Sequence, residues 1–250
     1  MKPVLPGAAR EQTLCGLRAV QAALRQRPER VKRLFFLAEH ARSLAPTLQD
    51  LAKRRAIFRQ VSAEELDRVA GTRAHQGLVA VLDAPEVPTL AREDVALAAR
   101  QPGPTLLLDG VGNPHNIGAI ARTAAFFGVR ALWLTAPGAA NVRSTAACRT
   151  AEGGLEFLPV AACHDALAVV RAYKEAGGQV LALSVHGDKT LADVALWRGK
   201  PVLLVLGAEE AGLDPAVEAL CSLRVKIAGT DAVESLNVSV AAAIALAALN

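Results

Sequence analysis

The sequence predicts an α/β protein in which a small α/β domain precedes a larger domain built around a parallel sheet. Strand-like and helix-like segments alternate from Thr105 onward, which is typical of a parallel sheet covered by helices on both faces. Pro201–Leu206 (PVLLVL) is apolar throughout, as expected of a strand buried on both faces. The charge also changes along the chain: residues 1–83 carry 15 Lys and Arg against eight Asp and Glu, whereas residues 105–250 carry 11 against 13.

Residues 1–83 form the first predicted domain. Ser62 and Glu65 have the spacing of a capping box, in which each side chain bonds the backbone of the other, and this predicts a helix start. Apolar residues at helical spacing predict a helix at residues 16–27. The remaining predicted elements are a strand at 31–38, a helix at 44–55, a strand at 56–61, a short helix at 62–70 and a strand at 78–82.

Residues 84–104 are interpreted as a linker because they contain four prolines, at positions 85, 88, 102 and 104, and a polar middle. Their middle, REDVALAAR, could form one short helix. The alternative is that this stretch forms an irregular edge of one continuous domain. The change of charge across it favours the linker.

Residues 105–250 form the second predicted domain, with alternating strands and helices. Gly128 is expected to end the first helix in the position that favours glycine, and Asp214–Pro215 has the pattern of a helix start. The predicted elements are strands at 105–109, 130–134, 179–183, 201–206 and 223–227, and helices at 116–127, from Asp165 to 177–178, after Asp214, and at 236–249.

The overall composition narrows the function classes. The formal net charge is +4 with a pI of about 9.1, and the excess lies in the first domain. That distribution suggests a polyanion held by the first domain and processed by the second, although a well-solvated basic surface is the alternative. Residues 1–10 do not have the pattern of a signal peptide, and the longest uncharged stretch, 235–250, is too short to span a bilayer. We therefore expect a cytoplasmic protein with no membrane segment.

The four cysteines form no CxxC pair, so reduced thiols are expected. Cys163 and His164 are adjacent but have no second pair at zinc-binding spacing. The sequence therefore predicts no metal site.

The first loop expected to carry chemistry is DGVGNPHNIGAIAR, residues 109–122. It is not a dinucleotide fingerprint because His115 stands where the third glycine belongs. We expect Asn116 to cap the following helix and Gly118 to allow a close approach to it. Arg122 is then expected six residues into that helix, where the helix dipole disfavours a cation, which suggests a functional role. A surface arginine paired with an acid is the alternative.

Two further loops follow the predicted strands at 201–206 and 223–227. The loop 207–213 (GAEEAGL) brackets two glutamates with glycines, which suits close passage of backbone past a ligand, or simply a solvated turn. The loop 228–239 (AGTDAVESLNVS) offers backbone groups and polar side chains at a helix start. The helix behind it is almost wholly apolar, so it must be covered by the core or by a second subunit.

Together, LDGVGNPHNIGAIARTAAFFGV, LVLGAEEAGL and VKIAGTDAVESLNVSVAAAIAL resemble, in order and spacing, the three motifs of SpoU/TrmH-type ribose methyltransferases of the SPOUT superfamily. The phrases GLRAVQAAL and HQGLVAVL of the first domain resemble that family's substrate-binding domain. The resemblance implies a SPOUT-type parallel sheet with a C-terminal trefoil knot, although chains are rarely knotted. It also implies a homodimer through the C-terminal domain.

The same resemblance implies transfer of a methyl group from S-adenosylmethionine to a ribose 2′-hydroxyl of RNA. Ala208 and Glu210 depart from the usual residues beside the motif's glutamate, which leaves their roles open. Arg122 is implied as the base or, since a guanidinium is a poor base, as a phosphate clamp. The implied catalytic residues are Asn116, Arg122, Glu209, Ser235 and Asn237, and the implied cofactor-binding residues are Leu206, Gly207, Ile227 and Leu236.

Two alternatives to ribose methylation remain at this point. One is a non-catalytic RNA-binding protein that keeps the fold, against which the retention of all three motifs counts. The other is an enzyme of the same superfamily that modifies a base nitrogen, against which SLNVS and Arg122 count. The RNA is either ribosomal or transfer RNA, and the first domain favours ribosomal RNA.

Overall fold

The computed structural model describes residues 11–230 and 232–250. The expectation about a signal peptide concerns residues 1–10 and lies outside the described residues. The first domain has a four-stranded sheet in the order β1-β4-β2-β3, in which only β2 and β3 are parallel. Its elements are β1 (Glu11–Cys15), α1 (Leu17–Gln26), β2 (Val31–Phe36), α2 (Ala41–Lys53), β3 (Ile57–Gln60), α3 (Ala63–Ala70) and β4 (Leu78–Asp83).

The local patterns of the first domain are explained by capping and by core packing. Ser62 Oγ accepts from the backbone N–H of Glu65 at 3.3 Å, and Glu65 Oε2 accepts from the N–H of Ser62 at 3.5 Å, so the predicted capping box is confirmed. Leu14 and Leu34 are fully buried between the sheet and its helices. Strand β1 was not predicted, and it pairs antiparallel with β4 to form one edge of this sheet.

The second sheet has seven parallel strands in the order β7-β6-β5-β10-β8-β11-β9, within the described part of the chain. The predicted parallel sheet is therefore confirmed, while β7 and β9 were not predicted. The elements are α4 (Arg92–Ala98), β5 (Gly103–Leu108), α5 (Pro114–Phe126), β6 (Leu132–Leu134), α6 (Gly138–Asn141), α7 (Thr145–Thr150), β7 (Val160–Ala162), α8 (Ala166–Glu175), β8 (Gln179–Leu183), β9 (Lys189–Thr190), α9 (Leu191–Val194), β10 (Pro201–Leu206), α10 (Pro215–Leu220), β11 (Leu223–Lys226) and α11 (Val238–Leu249).

The sheet has a hydrophobic layer on each face, and alternate residues of one strand enter opposite layers. On β10, Leu204 and Leu206 pack with α5, α7 and α11, whereas Leu203 and Val205 pack with α4, α8 and α10. All four side chains are at most 2% exposed. This two-sided burial explains why the strand has no polar position.

Residues 84–104, interpreted from the sequence as a linker, lie along the second sheet. Leu90 donates its N–H to the carbonyl of Ala162 at 2.7 Å, and Ala162 donates to the carbonyl of Pro88 at 2.8 Å. The short helix considered there is present as α4, whose Val95 is buried in the layer that contains α8. Strand β5 begins at Gly103, inside this segment.

Two predicted helix starts are wrong. Helix α5 begins at Pro114, and its N-cap is Asn113, whose side chain accepts from the N–H of His115 at 2.9 Å, so Asn116 is not the cap. Arg122 consequently lies in the second half of α5, where the dipole argument against a cation does not apply. Helix α11 begins at Val238 with Asn237 as its N-cap, because that side chain accepts from the N–H of Ser239.

The two domains are joined by polar contacts around α7. Arg27, at the end of α1, forms two bonds with the Glu156 carboxylate, Nε–Oε2 at 2.5 Å and Nη2–Oε1 at 2.7 Å. Gln12 Nε2 donates to the carbonyl of Arg143 at 2.7 Å, and Thr145 Oγ1 donates to the carbonyl of Thr13 at 2.9 Å. Among the described residues, no helix has the length and apolarity needed to cross a membrane.

Candidate active site

The loops after β5, β10 and β11 meet through three polar side chains. Asn116 Nδ2 donates to Glu209 Oε1 at 2.9 Å, and Asn237 Nδ2 donates to the same oxygen at 2.5 Å. Asn237 Nδ2 also lies 3.1 Å from Asn116 Oδ1. We call Asn116, Glu209 and Asn237 the amide–carboxylate cluster. Three residues of the implied catalytic group, each from a different motif, therefore lie in direct contact.

Local structure orients each member of the cluster. Because Asn113 and Pro114 start α5, Asn116 falls in its first turn, where it is buried at 9% exposure. Asn237 uses Oδ1 to cap α11, accepting from the N–H and Oγ of Ser239 at 2.9 and 2.6 Å. Its Nδ2 is left free to donate to the cluster. A carboxylate accepting two amide N–H groups forms charge-assisted bonds, which hold the three loops together.

The loop after β10 folds back tightly on itself. A Cβ added to Gly207 would lie 2.1 Å from the carbonyl oxygen of Gly212, so only glycine fits there. Gly212 adopts a left-handed φ of 67° and donates its N–H to the carbonyl of Ala208 at 2.9 Å. Leu206, the last residue of β10, is buried below this turn. The turn therefore presents backbone at the carboxyl end of the central strand, where ligands bind in open α/β sheets.

The loop after β11 is more open. Ile227 is half-buried, while Ser235 and Leu236 are exposed. Among the described residues, the N–H groups of Ala228 and Gly229 have no backbone partner. Backbone donors and acceptors beside apolar side chains suit a planar, polar-edged ring such as adenine, so the residues present fit the implied cofactor.

Arg122 lies away from the amide–carboxylate cluster. Six residues along an α-helix correspond to about 9 Å of rise and a rotation of about 240°, so Arg122 and Asn116 occupy different faces of α5. Arg122 Nη2 instead lies 3.2 Å from Glu152 Oε2, with its side chain about half exposed. This contact is the one expected from the alternative interpretation of Arg122, a surface arginine paired with an acid. No feature of residues 145–156 in the sequence had indicated Glu152.

Asp109, which directly follows β5, is the one carboxylate in the first loop. Burial raises the pKa of Asp109; the hydrogen bond from Thr135 opposes this rise, and the charges of Asp214 and Asp165 add to it. Thr135 Oγ1 lies 3.1 Å from Asp109 Oδ1 and accepts from the N–H of Gly110 at 2.8 Å. This network fixes the start of the loop that carries Asn116. Among the described residues, no group of three His, Cys, Asp or Glu could hold a metal ion.

The chain matches two family models. Residues 103–247 match the SpoU rRNA Methylase family, and residues 13–88 match the model described as RNA 2′-O ribose methyltransferase substrate binding. These ranges correspond to the two sheets of the structure.

Named relatives and solved structures resemble the chain over almost its whole length. A 23S rRNA (guanosine-2′-O-)-methyltransferase, RlmB, of Nitrosomonas europaea is 33% identical, over 94% of this chain and 89% of the relative. A tRNA/rRNA methyltransferase described as uncharacterized, YfiF of Escherichia coli O157:H7, is 34% identical over 95% of this chain and 67% of the relative. The SpoU methyltransferase AviRb of Streptomyces viridochromogenes, solved with the cofactor AdoMet, is 26% identical with a TM-score of 0.71, covering 96% of this chain and 89% of AviRb.

The resemblance predicted from the three motifs is thereby confirmed, as is the prediction that the protein is an enzyme. The matched regions include both domains and all three loops of the site. The chain is an RNA methyltransferase that belongs to the SpoU rRNA methylase family.

Proposed function

We propose that this enzyme transfers the methyl group of S-adenosylmethionine to the 2′-hydroxyl of a guanosine ribose in ribosomal RNA. The observation that carries this proposal is the amide–carboxylate cluster, because it joins the three motif loops at the carboxyl end of the sheet. The RlmB relative is named for this reaction on 23S rRNA, and the structurally similar AviRb was solved with AdoMet. An enzyme of ribosomal RNA works in the cytoplasm, which we propose as its location.

The donor site is proposed to lie between the loops after β10 and β11. Leu206 and Ile227 would supply apolar contacts, Gly207 would let the backbone approach, and Leu236 would cover the open side. When bound, S-adenosylmethionine supplies a methyl group on a positively charged sulfur, which a ribose oxygen can attack. Asn116, Glu209 and Asn237 would fix the two loops relative to each other and so position the donor.

Arg122 is proposed to bind the phosphate next to the target ribose. A guanidinium has a pKa above about 12, so at neutral pH it donates hydrogen bonds rather than accepting a proton. It would hold the phosphate through paired N–H groups and stabilise the negative charge that develops on the attacking oxygen. Ser235, which is exposed and lies two residues before Asn237 in the chain, is proposed as a contact to the substrate.

A trefoil knot and a homodimer are proposed with this function. Strand β11 pairs with β8 and β9, whereas α11 packs on α5, on the other side of β10. The segment between them must cross the end of β10, and Asn237 contacts the loops after both β5 and β10, which supports a threaded chain. Phe126 of α5 and Val240 of α11 are 82% and 47% exposed, which supports a second subunit on this face.

The proposed reaction is tested by incubating the enzyme with labelled S-adenosylmethionine and total RNA from cells that lack its gene. We expect label in the 23S fraction, at a linkage that resists alkali, because a 2′-O-methyl group blocks alkaline cleavage. Label found in nucleotides whose linkage is cleaved by alkali would indicate base methylation instead.

Arg122→Ala tests the assignment within the site. This variant should lose transfer while binding of S-adenosylmethionine persists, since Arg122 lies outside the proposed donor site. Arg171→Ala, an exposed arginine on α8, is the matched control and should transfer normally. Normal turnover by Arg122→Ala would refute the assignment, and absence of donor binding by the wild-type protein would favour a non-catalytic RNA-binding protein.

A further inference from the structure

A cleft of about 350 Å³ lies where α1 of the first domain faces α5 and α7 of the second. This volume is large enough to accept part of a sugar-phosphate backbone rather than a single water molecule. Its polar lining comes from both domains and comprises Arg18, Gln76, Arg122, Arg149, Thr150 and Glu152.

One carboxylate oxygen bridges the two domains inside this cleft. Glu152 Oε2 lies 3.4 Å from Arg18 Nη1 and 3.2 Å from Arg122 Nη2. Glu152 adopts a left-handed φ of 46°, which is uncommon for a residue with a side chain. An anionic oxygen held between two guanidinium groups occupies the position that a phosphate oxygen would take.

The cleft keeps a positive charge even with Glu152 in place. Its three arginines exceed its one glutamate by two charges, and within the described ranges Arg149 has no carboxylate at ion-pair distance. Helix α1, which begins at Leu17, adds the partial positive charge of its N-terminus, where the Leu17 N–H donates to Gln76 Oε1 at 2.9 Å.

The cleft also leads to the amide–carboxylate cluster. Thr150 lines the cleft, and its Oγ1 lies 3.3 Å from Nδ1 of His115. His115 directly precedes Asn116 in the first turn of α5. A chain lying in the cleft would therefore run along α5 toward the proposed donor site.

We propose that this cleft binds the RNA backbone through Arg18, Arg122 and Arg149, and that Glu152 occupies a phosphate position until RNA displaces it. The inference rests on the proposed function only in taking RNA as the ligand. It assigns Arg18 and Arg149, outside the three motifs, to RNA binding, and it assigns Glu152 as an internal competitor of phosphate.

The test measures binding of in vitro transcribed 23S rRNA at several salt concentrations. Each phosphate contact contributes about 0.9 to the slope of log affinity against log salt for a duplex, and about 0.7 for a single strand. Arg18→Ala and Arg149→Ala should each weaken binding and reduce the slope by about that amount. Arg171→Ala, on the opposite face of the second sheet, should retain the wild-type slope.

Removing the competing anion should have the opposite effect. Glu152→Gln should bind RNA about two- to fivefold more tightly, the scale of one exposed charge interaction. Glu152→Gly serves as the second variant because glycine accepts the left-handed conformation, so it should tighten binding without a loss of thermal stability.

Two results would overturn the cleft proposal. One is that both Arg18→Ala and Arg149→Ala retain the wild-type salt slope. The other is that both Glu152 variants bind RNA more weakly than wild type, which would mean that Glu152 holds the arginines in place for RNA. Donor binding and methyl transfer by the wild-type protein are measured separately. Transfer with unchanged slopes would refute the cleft alone, whereas altered slopes without transfer would refute the proposed reaction alone.

Discussion

The ion pair between Arg27 and Glu156 should be a major source of stability, and Glu156→Gln tests it. The side chains are only 10% and 5% exposed, and two bonds join them across the domain boundary. Arg143 lies close by, where burial lowers the pKa of its guanidinium and the Glu156 charge opposes that effect. Removing the carboxylate charge would leave the buried Arg27 guanidinium without its counter-charge and would take a nearby negative charge away from the half-buried Arg143.

Breaking a buried pair by removing one partner costs about 3–5 kcal/mol, and the amide oxygen kept by Gln places the expected loss near about 3 kcal/mol. At about 2–4 °C per kcal/mol for a protein of this size, the unfolding midpoint should fall by roughly 6–12 °C. The assay is thermal unfolding followed by circular dichroism. The control is Glu175→Gln, whose pair with Arg92 has side chains 54% and 78% exposed and should contribute at most about 1 kcal/mol. A midpoint for Glu156→Gln equal to that of the control would refute the reasoning.

Three further predictions follow from local geometry. Gly207→Ala should destabilise the fold by about 1–3 kcal/mol and abolish donor binding, because the new Cβ would overlap Gly212. The control is Gly229→Ala, which has open space around its Cβ and should unfold like wild type. Equal midpoints of urea unfolding for the two variants would count against this packing. Burial raises the pKa of Asp109, so its ionisation costs stability once the pH rises above the pKa that this carboxyl has in the unfolded chain. Asp109→Asn should therefore be more stable than wild type at pH 7 but not at pH 3. If urea unfolding gave the same difference in free energy of unfolding between variant and wild type at both pH values, the shift would be contradicted. Burial raises the pKa of Cys148, Cys163 and Cys221 to about 12. At pH 8 these thiols should therefore react with iodoacetamide slowly in the native protein and rapidly in urea. Fast labelling of a thiol in the native protein, measured by mass spectrometry, would show that the packing around it is open.

Elements with strong local patterns could be predicted from the sequence. The all-apolar β10 and the capping box at Ser62 were placed correctly because burial on two faces and helix capping are properties of a few consecutive residues. The strands β1, β7 and β9 have five, three and two residues, too few to establish a periodic pattern. Their conformation is set by pairing with strands that lie far away in the chain, which composition does not show.

The site was predicted to a similar extent. The resemblance implied Asn116, Glu209 and Asn237 as catalytic residues, and these three side chains do meet. They can meet because the carboxyl ends of parallel strands share one edge of the sheet. The contact of Arg122 with Glu152 depends on the turn after α7, a segment whose sequence gives no regular pattern. The error about the start of α5 arose because Asn113 and Asn116 are both good capping residues.

Glycines determine how the cleft and the cluster are arranged along α5. A Cβ on Gly118 would lie 2.4 Å from the carbonyl oxygen of Ala147, and one on Gly154 would lie 2.9 Å from Cα of Arg122. The predicted close approach to Gly118 is therefore confirmed, and its partner is α7. Because α7 and the following turn pack backbone against backbone on α5, the backbone of Glu152 is held close to Arg122, while its side chain can still rotate away when a phosphate takes its place. Since α5 carries Asn116 at one end and Arg122 beyond its middle, the spacing between the cluster and the cleft is set by rigid backbone packing. An RNA that lies in the cleft and places a ribose at the donor site must therefore adapt its own backbone to this spacing, which gives the enzyme a means of selecting RNA by shape.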